Sequence, residues 1–135
     1  MPGKTQAQTD AVLNVLRATN ITAPANVYVG LFSVNPADDA SAGTELTGAG
    51  GYARQQVAFG APAADTGNVR KISNTGVLTF GPATGADWAE AVGFGIFDAL
   101  TVGNLLYWDS LTTPKTVQVG DKLEFAAGAL VVKED

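Results

Sequence analysis

The 135-residue sequence contains no cysteine and no histidine. Without cysteine there is no disulfide framework, no thiol nucleophile and no thiolate ligand for zinc or an iron–sulfur cluster. Without histidine there is no Ser–His–Asp triad, no imidazole base and no imidazole ligand for a metal. An enzyme with this composition would have only carboxylates, hydroxyls and amines for its chemistry. We therefore expect no cofactor and no metal site.

Charge is also scarce, and its balance is acidic. Charged residues make up 16% of the chain, against roughly 25% in an average protein, and eight basic residues face thirteen acidic ones. A nucleic-acid-binding protein needs clustered lysine and arginine, and the one tight basic cluster here is Arg70-Lys71. The longest apolar stretch, residues 91–108, is interrupted by Asp98, Asn104 and three glycines. We expect neither nucleic acid nor membrane as a partner, and no signal peptide.

What the sequence does contain is enough apolar material for one domain. Hydrophobic residues make up 46% of the chain, and its 16 glycines exceed the usual fraction of about 7%. A chain of this length buries enough surface to fold without metal or disulfide crosslinks. The glycines predict many turns.

A short helix is predicted near the N-terminus. Val12, Leu13, Val15 and Leu16 follow the spacing of an apolar helical stripe, and Thr9 or Asp10 is the predicted cap. Pro24 ends the segment. We divide the chain into an N-terminal arm with this helix, residues 1–24, and a β domain, residues 25–135. So short a helix is marginal unless its stripe docks on something.

After residue 24 the apolar period changes to two, which is typical of strands. Strands are predicted at 26–33, 54–59, 69–80 with a break at 74–76, 91–97, 105–111, 116–119, 122–125 and 129–132, with a turn at 112–115. Seven or eight short strands, with a turn about every ten residues, predict a single antiparallel β-sandwich or jelly roll.

The loop at residues 35–51 is the first candidate interaction element, because loops longer than roughly 12–15 residues are usually functional or mobile. Its Asp38 and Asp39 are candidate contact residues. Calcium binding is the alternative, but the spacing of acidic residues in a calcium loop does not follow. Arg54, Arg70 and Lys71 are candidates for contact with acidic surfaces of a partner.

Gly93 and Gly95 alternate with large residues in the predicted strand at 91–97. The pattern begins like a dinucleotide-binding fingerprint but lacks the third glycine and the helix that should follow. Alternating glycines instead leave one strand face as bare backbone, open to close approach. That face is either core or a seam between copies. Trp88, Tyr107 and Trp108 favour core positions over a sugar-stacking platform, because adjacent strand residues point to opposite faces.

A series of motifs in order carries a resemblance to a known family. These are TAPANVYVGLF at 22–32, GGYARQQVAFG at 50–60, SNT at 73–75, ATGADW at 83–88 and the stretch from GIFDA at 95–99 to FAAGAL at 125–130. The chain resembles small virion proteins of tailed bacteriophages that are often described as tail-fibre-like. The resemblance spans most of the chain and implies a structural virion protein, not an enzyme.

The resemblance does not by itself say where on the virion the protein lies. A fibre shaft needs heptads, collagen-like triplets or β-repeats, and the sequence has none. The main expectation is therefore a capsid decoration (cement) protein on the head surface, made in the host cytoplasm and self-associating as a trimer. Its partner would be the major capsid protein or a neighbouring virion protein, contacted by residues 1–10 and the 35–51 loop. The alternative is a tail-fibre or tail-tip protein involved in host attachment.

Overall fold

The computed structural model describes residues 3–134 and shows a mainly β chain. Its elements are β1 (Gly3–Lys4), α1 (Gln6–Val15), β2 (Val27–Val34), β3 (Thr44–Glu45), β4 (Gln55–Val57), β5 (Ala63–Ala64), β6 (Arg70–Ser73), β7 (Leu78–Phe80), β8 (Ala91–Phe97), β9 (Leu105–Lys115), β10 (Leu123–Phe125) and β11 (Val131–Glu134), with a 3₁₀ turn at Ala49–Gly51. All strand pairs are antiparallel. The predicted fold class, mainly antiparallel β with one short α-helix, is confirmed for the described residues.

The strands form one large sheet and two small ones. The large sheet has the order β1-β9-β8-β2-β3, and β4 also pairs with β2. The small sheets are β10-β7 and β11-β6-β5. The centre of the large sheet is the β8–β9 hairpin beside β2, whose apolar and β-branched residues suit a strand with neighbours on both sides.

The sheets lie over a common core. The inner face of the large sheet contributes residues such as Val29, Leu31 and Phe94, and the small β10-β7 sheet contributes Phe80 and Leu123. The Phe80 side chain is completely buried. Because the large sheet and the β10-β7 sheet bury apolar side chains in this one cluster, the arrangement is sandwich-like.

A buried asparagine fixes the turn between β6 and β7. Asn74 is 2% exposed, and its amide donates to the carbonyls of Gly76 and Ala126 at 2.7 and 3.0 Å. Its side-chain oxygen accepts from the Leu130 N–H at 2.9 Å. All the polar groups of the side chain are therefore paired, as a buried amide requires. The predicted break at 74–76 is confirmed.

Two predictions for the region after residue 110 are wrong. The turn predicted at 112–115 is strand, because β9 continues to Lys115, which pairs with Ala91. Pro114 is tolerated there since β1 covers only Tyr107 and Trp108, which leaves the rest of β9 as an edge. Residues 116–119 form no strand and contribute a single bridge between Val119 and Ala83.

The helix begins four or five residues earlier than predicted. Thr5, not Thr9 or Asp10, is the N-cap, and its hydroxyl accepts from the Gln8 N–H. The same hydroxyl donates to the Leu105 carbonyl at 2.9 Å, so the cap is anchored to β9 and is 1% exposed. The first turn was missed because it contains no large apolar residue.

The two ends of the described chain meet at β9. β1 places Lys4 opposite Tyr107, and the Lys4 ammonium lies 3.0 Å from the Glu134 carboxylate. Glu134 also accepts a hydrogen bond of 2.6 Å from the Tyr107 hydroxyl. Burial and this hydrogen bond raise the pKa of Tyr107, so the phenol remains a donor at neutral pH.

Candidate interaction surface

The glycine face of β8 is covered by the protein's own side chains. Gly95 lies opposite Gly30 of β2, and a Cβ on Gly95 would lie 2.6 Å from both Phe32 Cε2 and Leu105 Cδ1. Phe32, Leu105 and their neighbours Phe97 and Trp108 form a second small core on this face. Of the two interpretations of the glycine face, core and seam between copies, the structure favours core at Gly95.

Gly93 is covered in the same way. A Cβ on Gly93 would collide with Oδ1 of Asn35, the residue that follows β2. The Asn35 amide donates to the Ser110 hydroxyl at 2.9 Å, which holds its side chain across the strand. Neither glycine therefore offers an open backbone face to another chain.

Arg54 is used inside the molecule and is not available to an acidic partner as a free charge. Its side chain is 9% exposed, and its Nε and Nη2 donate to the two carboxylate oxygens of Glu45 at 2.8 Å each. Nη1 donates to the carbonyls of Ala99 and Val102 at 2.8 and 2.7 Å. Its Cζ lies 3.5 Å from the Phe97 ring centroid. Arg54 thus clamps the 98–104 hairpin to β3.

The candidate loop at 35–51 is ordered by internal contacts. The Asp38 carboxylate accepts from the Trp108 indole at 3.2 Å, and the Asp38 carbonyl accepts from the Gln6 N–H at 2.8 Å. Asp39 is exposed and accepts from the Ser41 N–H at 2.9 Å and its hydroxyl at 2.5 Å, which lowers the pKa of the Asp39 carboxyl. The loop therefore packs over the outer face of the large sheet.

Arg70 and Lys71 lie on β6 and are partly neutralised. The Arg70 guanidinium donates to the Pro62 carbonyl at 3.1 Å, and Lys71 forms an ion pair of 3.2 Å with Asp65. Lys133, directly opposite Lys71 on β11, lies 2.7 Å from the same carboxylate. The three cations Arg70, Lys71 and Lys133 are exposed enough to reach a partner, but each is also part of the small sheet's own bonding.

Sequence reasoning located the helical stripe but not its orientation. The sequence left open what the stripe docks on, and the structure buries no α1 residue. The large apolar side chains that remain exposed between residues 12 and 21 are Val12, Leu13, Val15, Leu16 and Ile21. The side that faces the protein carries Gln8, Ala11 and Asn14, which line a cavity of about 480 Å³. The sequence does show that Gln8, Ala11 and Asn14, which share one side of the helix, are polar or small. This pattern indicates that the apolar stripe on the other side faces away from the protein.

The described residues contain no arrangement typical of metal chemistry. No group of three or more Asp or Glu side chains within residues 3–134 is placed to hold a metal ion. In the same range, no helix is long and apolar enough to cross a membrane. Five large apolar side chains are exposed on α1 and the segment after it, and this side of the helix is the candidate interaction surface.

Comparison with known proteins identifies the family. The family model described as podophage GP4 fiber I protein gp80 matches residues 3–133. The chain belongs to this family. The protein is accordingly a structural component of a phage virion, and the resemblance to tail-fibre-like proteins is confirmed. No curated protein matches the chain.

In this fibre-family protein the aromatic residues do not form an open platform for stacking sugars. Trp88 and Trp108 are 5% and 9% exposed. The Trp88 indole donates to the Gly50 carbonyl at 2.8 Å, and its ring packs edge-on against Tyr52 at 5.5 Å. Tyr107 is half-buried. The prediction that these residues favour core positions is confirmed for both tryptophans.

Proposed function

We propose that the protein is a globular structural module of a podophage tail fibre, which acts by binding neighbouring virion proteins and catalyses no reaction. The observation that carries the proposal is the fibre-family match, which spans residues 3–133 and therefore covers the whole folded body. The name of the family points to a fibre, and we extend that location to this chain.

The fold supports a module at the base, joint or tip of a fibre, not its shaft. Shafts are elongated because a short unit repeats along the axis, whereas here one large and two small sheets pack around a main core. The 98–104 hairpin and the 35–51 loop are both held by side-chain contacts. Such a rigid body suits a part that transmits contacts between neighbours.

The surface chemistry supports a protein partner. The formal net charge of −5 disfavours attraction to nucleic acid. Exposed large apolar side chains cluster on α1 and the segment after it, and exposed apolar patches typically mark protein interfaces. The assembled fibre would contact the host glycan or protein, and this module would hold the neighbouring fibre proteins in place.

Immunogold electron microscopy of purified virions tests the location. Antibody against the protein is expected to label the tail end of the particle, and quantitative mass spectrometry is expected to give a copy number in the tens or fewer. Labelling over the whole head, with hundreds of copies, would overturn the fibre proposal.

A capsid decoration protein is the second candidate. It is favoured by the compact fold and by the absence of a shaft repeat from the sequence. A trimer that binds only the assembled shell would stabilise it by mass action. Under this alternative the purified protein rebinds to emptied capsids and raises the temperature at which they disassemble; under the fibre proposal it does neither.

A further inference from the structure

The two sides of α1 are the reverse of those of an ordinary surface helix. The residues that face the protein, Gln8, Ala11 and Asn14, are polar or small and lie one turn apart. On the opposite side Leu13 and Leu16 are 55% and 86% exposed. Surface helices normally bury their apolar side against the core, so this helix presents a side that is built for contact with something else.

The structure secures the helix in this orientation. Thr5 anchors its first turn to β9 through hydrogen bonds to the Leu105 and Leu106 carbonyls. At its other end the Ala18 and Thr19 N–H groups donate to the Val15 and Asn14 carbonyls at 3.0 Å each, the pair of bonds of a Schellman motif. The exposed side is therefore a defined surface and not the side of a fraying segment.

We propose that the outer side of α1 binds α1 of a second copy of this chain, with the two helices antiparallel. Leu13 and Leu16, three residues apart, form the apolar centre of the contact, in the positions that a and d occupy in a coiled coil. Asp10 and Arg17 are two turns apart and therefore lie along one edge of this stripe. Both are exposed.

Charge selects the direction. In an antiparallel pair Asp10 of one copy lies beside Arg17 of the other, and two-fold symmetry forms this pair twice. In a parallel pair the two-fold axis runs along the helices and places this edge of one copy on the opposite side of the contact from the same edge of the other, so Asp10 and Arg17 do not meet. The helix dipoles add to the preference, because each negative end then lies near the partner's positive end.

The expected affinity is modest. A helix of ten residues is only about 15 Å long, and such a contact is smaller than the roughly 1,200 Å² that stable interfaces bury. We expect a micromolar dimer in solution. On a particle, where copies are held close together, the effective concentration makes the same contact persistent.

Sedimentation equilibrium of the full chain over a range of micromolar concentrations tests the proposal. The wild type is expected to dimerise. Asp10→Arg and Arg17→Asp are each expected to weaken dimerisation about tenfold, because two attractions become two repulsions. The double variant Asp10→Arg/Arg17→Asp restores it. Glu124→Arg, which makes the same change in charge on β10, is expected to leave dimerisation unchanged.

The apolar centre is tested in the same experiment. Leu16→Glu is expected to give a monomer with unchanged circular dichroism, because this side chain makes little contact with its own chain. Val77→Glu, a change at a side chain that is 62% exposed on another surface, is the matched control and is expected to dimerise normally. A monomeric or trimeric wild type overturns the proposal, as does a charge swap that fails to restore dimerisation. These outcomes do not depend on where the protein lies on the virion.

Discussion

At the scale of single residues, Arg54 shows why an arginine is needed where a lysine carries the same charge. Its planar group donates in parallel to both oxygens of Glu45, reaches two carbonyls of the hairpin loop and stacks on Phe97. An ammonium is a point charge and meets only one of these requirements at a time. The residue thus joins three separate segments of chain.

We expect Arg54→Ala to lower the free energy of unfolding by about 2–4 kcal/mol, because it leaves a largely buried carboxylate and two carbonyls without their donor. Arg54→Lys is expected to recover less than half of this loss. Urea denaturation followed by tryptophan fluorescence measures both. Arg70→Ala, at an exposed arginine that donates to the Pro62 carbonyl, is the control, and equal losses at the two positions would contradict the role assigned to Arg54.

Gly95→Ala is expected to cost about 1–3 kcal/mol, since the new methyl group overpacks the small core on the outer face. The methyl would lie 2.6 Å from Phe32 and Leu105 atoms, and these side chains are themselves buried. Gly76→Ala is the matched control because a Cβ there has no neighbour within 4 Å. Thermal unfolding of the two variants should separate them by several degrees, and similar melting temperatures would show that the face is not tightly packed.

The sequence revealed part of this residue-scale picture. Alternation of Gly93 and Gly95 with large residues is visible in the sequence, and it correctly indicates a bare strand face. The side chains that cover the face come from β2 and from the start of β9, which only the sheet register brings together. Likewise, nothing near Arg54 in the sequence indicates that Ala99, 45 residues away, accepts its hydrogen bond.

At the scale of elements, α1 depends on its ends and not on its sides. No residue within it is buried, so packing contributes little to its stability, and short helices without packing are marginal. The N-cap residue Thr5, which directly precedes the helix, is buried. The sequence correctly predicted a helix but not its start, because periodicity detects apolar residues and the first turn has no large one.

We expect Thr5→Ala to destabilise the protein by about 1–2 kcal/mol, because it removes both the helix cap and a buried hydrogen bond to β9. Hydrogen exchange should show that protection is lost first in residues 6–16. Thr5→Ser keeps the hydroxyl and is expected to retain most of the protection. If exchange in the helix is unaffected by Thr5→Ala, the cap is not what holds the helix.

Strand prediction succeeded where the apolar pattern was long and failed where the strand has only two residues. β8 lies at the predicted 91–97, and β2 is shifted by a single residue. The two-residue strands β1, β3 and β5 were missed, because two residues cannot show a period. They exist because a longer neighbouring strand offers free backbone groups.

At the scale of the whole molecule, the order of strands in the sheets was beyond the sequence, while the class of fold was not. Alternating apolar residues and frequent turns predict a mainly β chain. They do not show which strands pair, because neighbours such as β1 and β9 are about a hundred residues apart in the sequence.

One ion cluster helps to hold the β11-β6-β5 sheet together: Lys71 and Lys133 face each other and both bind Asp65.

This cluster predicts a dependence of stability on pH. Hydrogen bonds from Lys133 and then Lys71 lower the pKa of Asp65, so the folded protein keeps this carboxylate ionised at a pH where the unfolded chain protonates it. Its contribution to stability is complete above the unfolded pKa of about 3.9 and is lost as the pH falls through the lower folded value.

Asp65→Asn is accordingly expected to lower stability at pH 7 and to reduce the further loss of stability between pH 5 and pH 2.5. Urea denaturation at a series of pH values measures both effects. Glu124→Gln, at an exposed carboxylate on β10, is the control. Parallel profiles for wild type and Asp65→Asn would contradict the assignment of acid sensitivity to this cluster.

The meeting of Lys4 and Glu134 beside Tyr107 has a topological consequence. Since the two ends lie side by side, a short peptide can join them and close the backbone into a ring. The ring can then be cut in the exposed turn at residues 66–68 without removing a strand pair. A circular permutant with its new ends there is expected to fold to the same sheets, and its new ends would lie close to Glu134, which pairs with Arg70 at the start of β6.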